Sequence, residues 1–236
     1  MKDLNNQPII ILGGFLINPK SYFPMSYWLK HHTKASVEII NVSKVEWLLT
    51  SWDFGWARIL DKVHSSVIKF KKISKTGKVS LIGHSSGGVM LRLFLADNKF
   101  HNRIYNGKTI CNNLITLGSP HSAIRATRLR SMVDKKYPGS FYHPEVNYAS
   151  IAGRLNIDGP NSSRLSKNLA VRSYKSILGK SNLVGDGLVP IDSALLRNSR
   201  QIILDETSHG SSFGSYWYGS SNNVSKWWKL LESQIL

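Results

Sequence analysis

The sequence is poor in cysteine and has no long apolar run. Its 236 residues include a single cysteine, Cys111, so no disulfide can form within the chain. Because Cys111 precedes an apolar segment, we expect a buried thiol without a chemical role. No stretch approaches the roughly 20 apolar residues of a membrane-spanning helix, and residues 1–8 lack the apolar core of a secretory signal. We therefore expect a cytoplasmic protein.

Acidic residues are scarce as well. The chain has 14 Asp and Glu against 31 Lys and Arg, which gives a formal net charge of +17. Such a surface predicts either peripheral contact with an anionic membrane, at about 1 kcal/mol per near-surface cation, or simple solubility. We do not expect nucleic-acid binding, because no helix-turn-helix, zinc-finger or RNA-binding signature is present. The cations form three clusters: Lys69, Lys71, Lys72, Lys75 and Lys78; Arg125, Arg128, Arg130, Lys135 and Lys136; Arg154, Arg164, Lys167, Arg172 and Lys175.

No linker, repeat or low-complexity tract divides the chain, so residues 1–236 suit one domain. Helical patterns alternate with short apolar runs, most clearly over 56–70. This alternation predicts the α/β class, with a mostly parallel sheet of about six strands covered by helices on both faces. Polar stretches within 121–146 and 154–185 are candidates for small cap elements or plain surface connections. The predicted strands lie near residues 9–12, 37–41, 79–82, 113–117, 148–152 and 201–204.

Residues 83–87 read Gly-His-Ser-Ser-Gly, after the apolar run 79–82 and before a helical pattern over 89–96. Gly-x-Ser-x-Gly between a strand and a helix is typical of a nucleophile elbow, whose glycines avoid a collision between Cβ and backbone. Ser85 is therefore a candidate nucleophile. The amide of Ser86, at the start of the helix, is a candidate oxyanion donor. The alternative is an ordinary glycine-rich turn that carries a surface serine.

An acid and a histidine follow the serine in the order that such an elbow requires. Asp186 stands between two glycines, as expected of an acid on a loop just past a strand end. His209 follows the apolar run 201–204. We expect His209 to take the proton from Ser85 and Asp186 to hold the imidazole tautomer.

Other residues compete for these roles. Asp192 is typical of a helix N-cap, and Asp205 immediately precedes the histidine loop. His121 comes before Asp186, which breaks the expected order, and His84 is expected to pack inside the elbow. No group of residues has metal-ligand spacing, and we expect neither a metal ion nor a cofactor.

The second oxyanion donor is expected in the loop after the first central strand. The run 8–12 leads into Gly13-Gly14-Phe15-Leu16, and two glycines allow a sharp turn there. The amide of Phe15 is our candidate donor, and a plain turn is the alternative. Several apolar side chains near this entrance suit an acyl chain, although they suit a core equally well. They are Phe15, Leu16, Phe23, Leu188 and Trp217.

Five segments together resemble the α/β-hydrolase superfamily. More narrowly, they are similar to the lipase- and esterase-like hydrolases of cyanobacteria and plant plastids, close to the PGAP1-like group. This chain has Gly13-Gly14 where many of those lipases have His-Gly, and Ser86 where alanine is more frequent. Neither difference removes a catalytic group. The segments are Leu-Gly-Gly-Phe-Leu at 12–16, Gly-His-Ser-Ser-Gly-Gly at 83–88, Thr-Leu-Gly-Ser-Pro-His at 116–121, Gly-Asp-Gly-Leu-Val-Pro at 185–190 and Trp-Tyr-Gly-Ser at 217–220.

The resemblance implies a serine carboxyl-ester hydrolase with Ser85, Asp186 and His209 as its triad. The expected substrates are lipid or other acyl esters, cleaved through an acyl-enzyme. An acyltransferase or a thioesterase would use the same residues. A third alternative is a non-catalytic basic binding protein on a hydrolase scaffold, since a fold alone does not establish an activity.

Overall fold

The computed structural model describes residues 1, 3–157 and 164–233, without the side chains of 164–166. Its centre is a sheet of six strands: β1 (Ile9–Leu12), β2 (Val37–Ile39), β3 (Val79–His84), β4 (Cys111–Leu117), β5 (Asn147–Arg154) and β6 (Arg200–Asp205). The strands follow the order β2-β1-β3-β4-β5-β6, and all neighbouring pairs are parallel. The predicted α/β class and the six predicted strands are confirmed, with boundaries shifted by a few residues.

Helices alternate with the strands in the described part of the chain. The predicted helix over 56–70 is α3, which is three residues longer at each end. The polar stretches within 121–146 and 154–185 contain α5 and α6, and residues 158–163 of the second stretch lie outside the described residues. The helices are α1 (Phe23–Thr33), α2 (Lys44–Leu48), α3 (Asp53–Ile73), α4 (Ser86–Phe94), α5 (Arg128–Lys136), α6 (Arg164–Leu178), α7 (Ile191–Ala194) and α8 (Ser221–Glu232).

Each face of the sheet carries its own apolar core. Successive side chains of a strand point to opposite faces, so Ile10 and Leu12 pack with the buried residues of α3 and α4, whereas Ile9 and Ile11 pack with those of α1 and α8. The result is three layers, with the sheet in the middle. Burial on both faces explains why β1 is a continuous apolar run rather than an alternating pattern.

The two helices next to the centre of the sheet differ in their burial. The apolar side of α3 is buried, as Ile59 and Val63 show, and the other side of the helix faces solvent. Each such aliphatic side chain contributes about 1.5–3 kcal/mol when it is fully buried. In α4 every residue from Gly87 to Phe94 is buried, including Arg92. The elbow is therefore held between strands and a helix that cannot move without disrupting the core.

Two predictions about composition can be compared with the structure. Cys111 is a free thiol with no solvent exposure, as predicted. Within the ranges that the structure describes, no helix combines the length and the apolarity needed to cross a bilayer.

Candidate active site

Ser85 occupies a strained turn between β3 and α4. Its φ of 52° and ψ of −124° lie in a region that residues other than glycine rarely adopt. The Ser85 N–H donates to the carbonyl at the end of β4 at 2.9 Å, which helps to hold the turn. A Cβ at Gly83 would lie 2.4 Å from Cα of Gly88, and a Cβ at Gly87 would lie 2.4 Å from the carbonyl oxygen of Leu12. The predicted requirement for glycine on both sides of the serine is confirmed.

The structure brings the three predicted residues into one hydrogen-bonded row. His209 Nε2 lies 3.0 Å from Ser85 Oγ, and His209 Nδ1 lies 2.8 Å from Asp186 Oδ2. Since the carboxylate only accepts, the imidazole proton is on Nδ1, and Nε2 is free to accept the serine proton. The exposed fractions are 8% for Ser85, 0% for Asp186 and 2% for His209. This row has the geometry of a nucleophile, a base and an orienting acid.

The carboxylate of Asp186 accepts hydrogen bonds at both oxygens. Oδ1 accepts from the N–H groups of Leu188 and Val189 at 3.0 and 2.8 Å. Oδ2 accepts from the Tyr218 hydroxyl at 2.8 Å in addition to His209. These four bonds compensate the cost of burying a negative charge.

The position of Asp186 along the chain differs from the prediction. The acid does not directly follow a strand, because β5 ends at Arg154 and α6 intervenes. Instead it lies in a tight turn closed by a bond from its own N–H to the Val189 carbonyl. The Leu155 N–H donates to the Gly185 carbonyl at 2.8 Å, so a tertiary contact attaches this turn to the end of β5.

Tyr218 supports the acid and had no assigned role in the sequence analysis. Its hydroxyl donates to Asp186 and accepts from the Gly153 N–H at 2.6 Å. Burial, followed by the nearby carboxylate, raises the pKa of Tyr218 well above its ordinary value. Tyr218 therefore stays protonated and remains a donor to the carboxylate. Its presence in Trp-Tyr-Gly-Ser was the only signal in the sequence.

A second hydrogen-bonded chain passes behind the nucleophile. The Gly14 N–H donates to the Tyr22 hydroxyl at 2.8 Å, and that hydroxyl lies 2.8 Å from His84 Nδ1. His84 Nε2 lies 2.8 Å from the His209 carbonyl oxygen. Burial, then proximity to His209, lowers the pKa of His84 well below its ordinary value, so its ring is neutral. Nε2 thus donates to the carbonyl, and Nδ1 accepts from Tyr22.

This chain connects three loops at the carboxyl edge of the sheet. They are the loop after β1, the elbow after β3 and the histidine loop after β6. The prediction that His84 packs inside the elbow is confirmed, because the residue has no solvent exposure. The sequence analysis did not identify Tyr22, which lies 62 residues before its partner.

The two glycines after β1 are required by close neighbours. A Cβ at Gly13 would lie 2.6 Å from the Tyr22 ring, so a larger residue does not fit here unless that ring moves. A Cβ at Gly14 would lie 2.9 Å from Ser85 Cβ, so this loop packs directly against the nucleophile.

The two predicted oxyanion donors lie on the same cavity as Ser85. Phe15 and Ser86 both line it, and neither backbone N–H donates to another described residue. The Gly14 N–H, in contrast, is occupied by Tyr22. The arrangement leaves two unused amides beside the serine, which an oxyanion requires.

The competing residues lie elsewhere. His121 is buried, with Nε2 3.0 Å from the Thr116 hydroxyl and Nδ1 3.3 Å from Arg92, and it has no hydrogen bond to the row. Asp205 is exposed and forms a surface ion pair. Asp192 is exposed in the first turn of α7, and the N-cap prediction is wrong because a proline holds that position.

Ser85 and His209 face a cavity of about 500 Å³. Helices α5 and α6, from the two segments predicted as cap elements, contribute polar side chains to its wall, but the cap itself stays a prediction. A separate cleft of about 590 Å³ beside Leu155 contains none of the three row residues. In the cavity that contains Ser85 and His209, the apolar lining residues are Phe15, Ile17, Trp47, Trp56, Met90, Pro120, Ile177, Leu188, Val189 and Phe213. The other lining residues of that cavity are Thr50, Ser51, Ser86, Thr127, Arg130, Ser173 and Ser176.

The residues predicted near the entrance separate into three groups. Phe15 and Leu188 line the cavity. Leu16 and Phe23 are exposed and do not belong to the described lining. Trp217 is a core residue that is 5% exposed, and it packs edge-on against the rings of Tyr22 and His84.

The comparisons with known proteins agree with this architecture. Residues 25–133, slightly less than half of the chain, match the model of a family described as "Putative serine esterase (DUF676)". The structure is similar to the mature form of the Bacillus licheniformis lipase BlEst2, with a TM-score of 0.64 and 15% identity, over 98% of this chain and 94% of that chain. The protein has the α/β-hydrolase fold.

A second solved structure supports the same fold. It is a "putative hydrolase of the alpha/beta superfamily" from Xanthomonas campestris pv. campestris, with a TM-score of 0.52 and 12% identity, over 96% of this chain and 99% of that chain. No curated protein matches the sequence. At these identities the likeness concerns the fold, and the narrower cyanobacterial and plastid, PGAP1-like grouping stays a prediction.

Proposed function

We propose that the protein is a serine hydrolase that cleaves carboxylic esters with Ser85, His209 and Asp186. The observation that carries this proposal is the row of hydrogen bonds from Ser85 Oγ through His209 to Asp186, which opens into a cavity large enough for an acyl chain. The match of residues 25–133 to a serine esterase model supports it independently.

In the first half of the reaction, Ser85 Oγ forms a bond to the ester carbonyl carbon while its proton passes to His209 Nε2. The carbonyl oxygen becomes an oxyanion that accepts from the N–H groups of Phe15 and Ser86. Asp186 stabilises the imidazolium. The bond between the carbonyl carbon and the alcohol oxygen then breaks, and the alcohol leaves with the proton from His209.

In the second half, a water molecule attacks the acyl-enzyme. His209 Nε2 accepts one proton of that water and returns it to Ser85 as the acyl bond breaks, which releases the carboxylic acid. Loss of the nucleophile or the base in such a row lowers kcat by about 10⁶, and loss of the acid by about 10⁴.

The cavity lining supports acyl esters as substrates. Aromatic and aliphatic side chains such as Trp47, Trp56, Met90 and Phe213 surround the space next to Ser85. Burial of a methylene group contributes about 0.8 kcal/mol, so several carbons in this cavity would add usefully to transition-state binding.

The proposal is tested by burst kinetics on p-nitrophenyl esters from acetate to palmitate. We expect a burst of about one equivalent of nitrophenol and then turnover, both absent in Ser85→Ala. Ser65→Ala is the matched control, because this serine is exposed on α3 and does not line the cavity that contains Ser85. An equal rate in Ser85→Ala and wild type would contradict the proposal, and the optimum chain length separates an esterase from a lipase.

The alternatives differ in the second substrate or the leaving group. Added alcohol would divert the acyl-enzyme into a new ester if the protein is an acyltransferase, and a thioester would be preferred over its matched oxygen ester by a thioesterase. A scaffold without activity would show neither a burst nor reaction of Ser85.

Contact with anionic membranes is a further element of the proposal. Lys71 and Lys72 are exposed at the end of α3, and Arg172 and Lys175 are on α6, while the Arg164 side chain lies outside the described residues. Binding to vesicles is expected to grow with the fraction of anionic lipid and to fall with salt. Equal sedimentation with neutral vesicles would contradict it.

A further inference from the structure

Arg130 is a cation in the wall of the cavity that contains Ser85 and His209. It lies in the first turn of α5 and is only partly exposed. Its side chain forms no hydrogen bond or ion pair with a described residue, and its Nε is enclosed without an acceptor. None of the described residues that line this cavity is an aspartate or a glutamate.

A guanidinium that is removed from water without a partner costs free energy. Desolvation lowers the pKa of Arg130, but an arginine remains charged at neutral pH. Two other arginines do have partners: Arg128 is paired with Asp53, and Arg92, although its Nε is also unpaired, donates through Nη2 to the Tyr137 carbonyl at 2.5 Å. The cavity therefore holds a positive charge that has no acceptor among the described residues.

We propose that Arg130 binds an anionic group of the ester substrate. The preferred substrates then carry a carboxylate or a phosphate apart from the reacting carbonyl, which the planar guanidinium contacts through two N–H groups. Thr127 and Ser176 line the same cavity, and their hydroxyl groups are further donors for such an anion. This inference rests on the proposed function, which is ester hydrolysis at Ser85. It adds that the preferred substrate carries a negative charge.

The test compares esters that differ in one charge. On the acyl side, mono-p-nitrophenyl suberate is compared with p-nitrophenyl octanoate. On the alcohol side, 4-carboxyphenyl octanoate is compared with 4-carbamoylphenyl octanoate. We expect wild type to prefer the anionic member of at least one pair in kcat/KM. In Arg130→Gln that preference falls at least ten-fold, whereas Arg130→Lys retains part of it.

Lys136→Gln is the matched control, because it removes the same charge from an exposed position at the other end of α5. Its preference is expected to equal that of wild type. An equal loss in Lys136→Gln and Arg130→Gln would assign the effect to overall charge and overturn the proposal. So would a wild type that prefers neither anionic ester.

A binding measurement separates failure of this inference from failure of the proposed function. Octyl phosphate and octanol are titrated calorimetrically into wild type, Arg130→Gln and Lys136→Gln. Arg130→Gln is expected to weaken the binding of octyl phosphate at least ten-fold and to leave the binding of octanol unchanged. If no ester is cleaved, this result still supports Arg130 as an anion site. If esters are cleaved but octyl phosphate binds equally to all three, only the role of Arg130 is contradicted.

Discussion

Replacing Tyr22 by phenylalanine removes one oxygen atom from behind the nucleophile. That oxygen accepts from the Gly14 N–H and donates to His84 Nδ1, each at 2.8 Å. The ring itself is completely buried and packs against His84 and Trp217. The phenyl ring keeps these contacts, so the substitution isolates the two hydrogen bonds.

The expected loss in the free energy of unfolding follows from the two groups that lose their partner, the Gly14 N–H and His84 Nδ1. A buried donor or acceptor left unsatisfied costs about 1–3 kcal/mol, and two of them give about 2–6 kcal/mol. We expect the lower half of that range, since single substitutions seldom exceed about 4–5 kcal/mol. The loop at Gly14 also loses its anchor next to Ser85, so kcat is expected to fall more than KM changes.

The assay is urea unfolding followed by tryptophan fluorescence, together with ester kinetics. Tyr27→Phe is the matched control: this tyrosine lies on α1, it is 67% exposed, and its hydroxyl bonds to no described residue. We expect the control to stay within about 0.5 kcal/mol of wild type. If Tyr22→Phe unfolds at the same urea concentration as Tyr27→Phe, the reasoning is refuted.

Three further predictions concern packing, pH and the thiol. Gly87→Ala is expected to unfold the elbow and abolish activity, whereas Gly210→Ala, with no atom within 4 Å of its added Cβ, stays close to wild type in urea unfolding and kinetics. Burial lowers the pKa of His84 and His121 well below the ordinary value of about 6.5, so the unfolded chain binds protons that the folded chain does not. The unfolding free energy therefore falls below about pH 6.5, by up to about 1.4 kcal/mol per pH unit for each histidine, and a flat profile from pH 7 to 5 would contradict this. Burial raises the pKa of the Cys111 thiol, so Ellman's reagent is expected to react only in denaturant, and rapid reaction of the native protein would contradict its placement.

Local patterns in the sequence were sufficient for the sheet and for the elbow. A strand that is buried on both faces is often a continuous apolar run, and β1 could be predicted for that reason. Gly83 could be predicted because its requirement arises within five residues of chain, from Gly88. Gly87 was predicted from the Gly-x-Ser-x-Gly pattern, although the group that its Cβ would meet is the distant Leu12 carbonyl. His209 could be placed because it follows an identifiable strand.

Contacts between distant residues could not be predicted in the same way. Tyr22 and Tyr218 act through partners 62 and 32 residues away, and a tyrosine in an apolar segment gives no local sign of such a bond. The turn at Asp186 depends on a tertiary bond to the end of β5. Helix α6 was missed because few apolar residues mark it, although the buried residues Ala170, Tyr174 and Ile177 have helical spacing.

Labelling with a fluorophosphonate tests the central claim most directly. The probe reacts with a serine only where a base accepts its proton, so fragmentation of the labelled peptide distinguishes Ser85 from the adjacent Ser86. We expect stoichiometric label on Ser85 in the native protein, lost in His209→Gln and in urea. Absence of label on Ser85, or an equal extent of labelling in His209→Gln, would contradict the account.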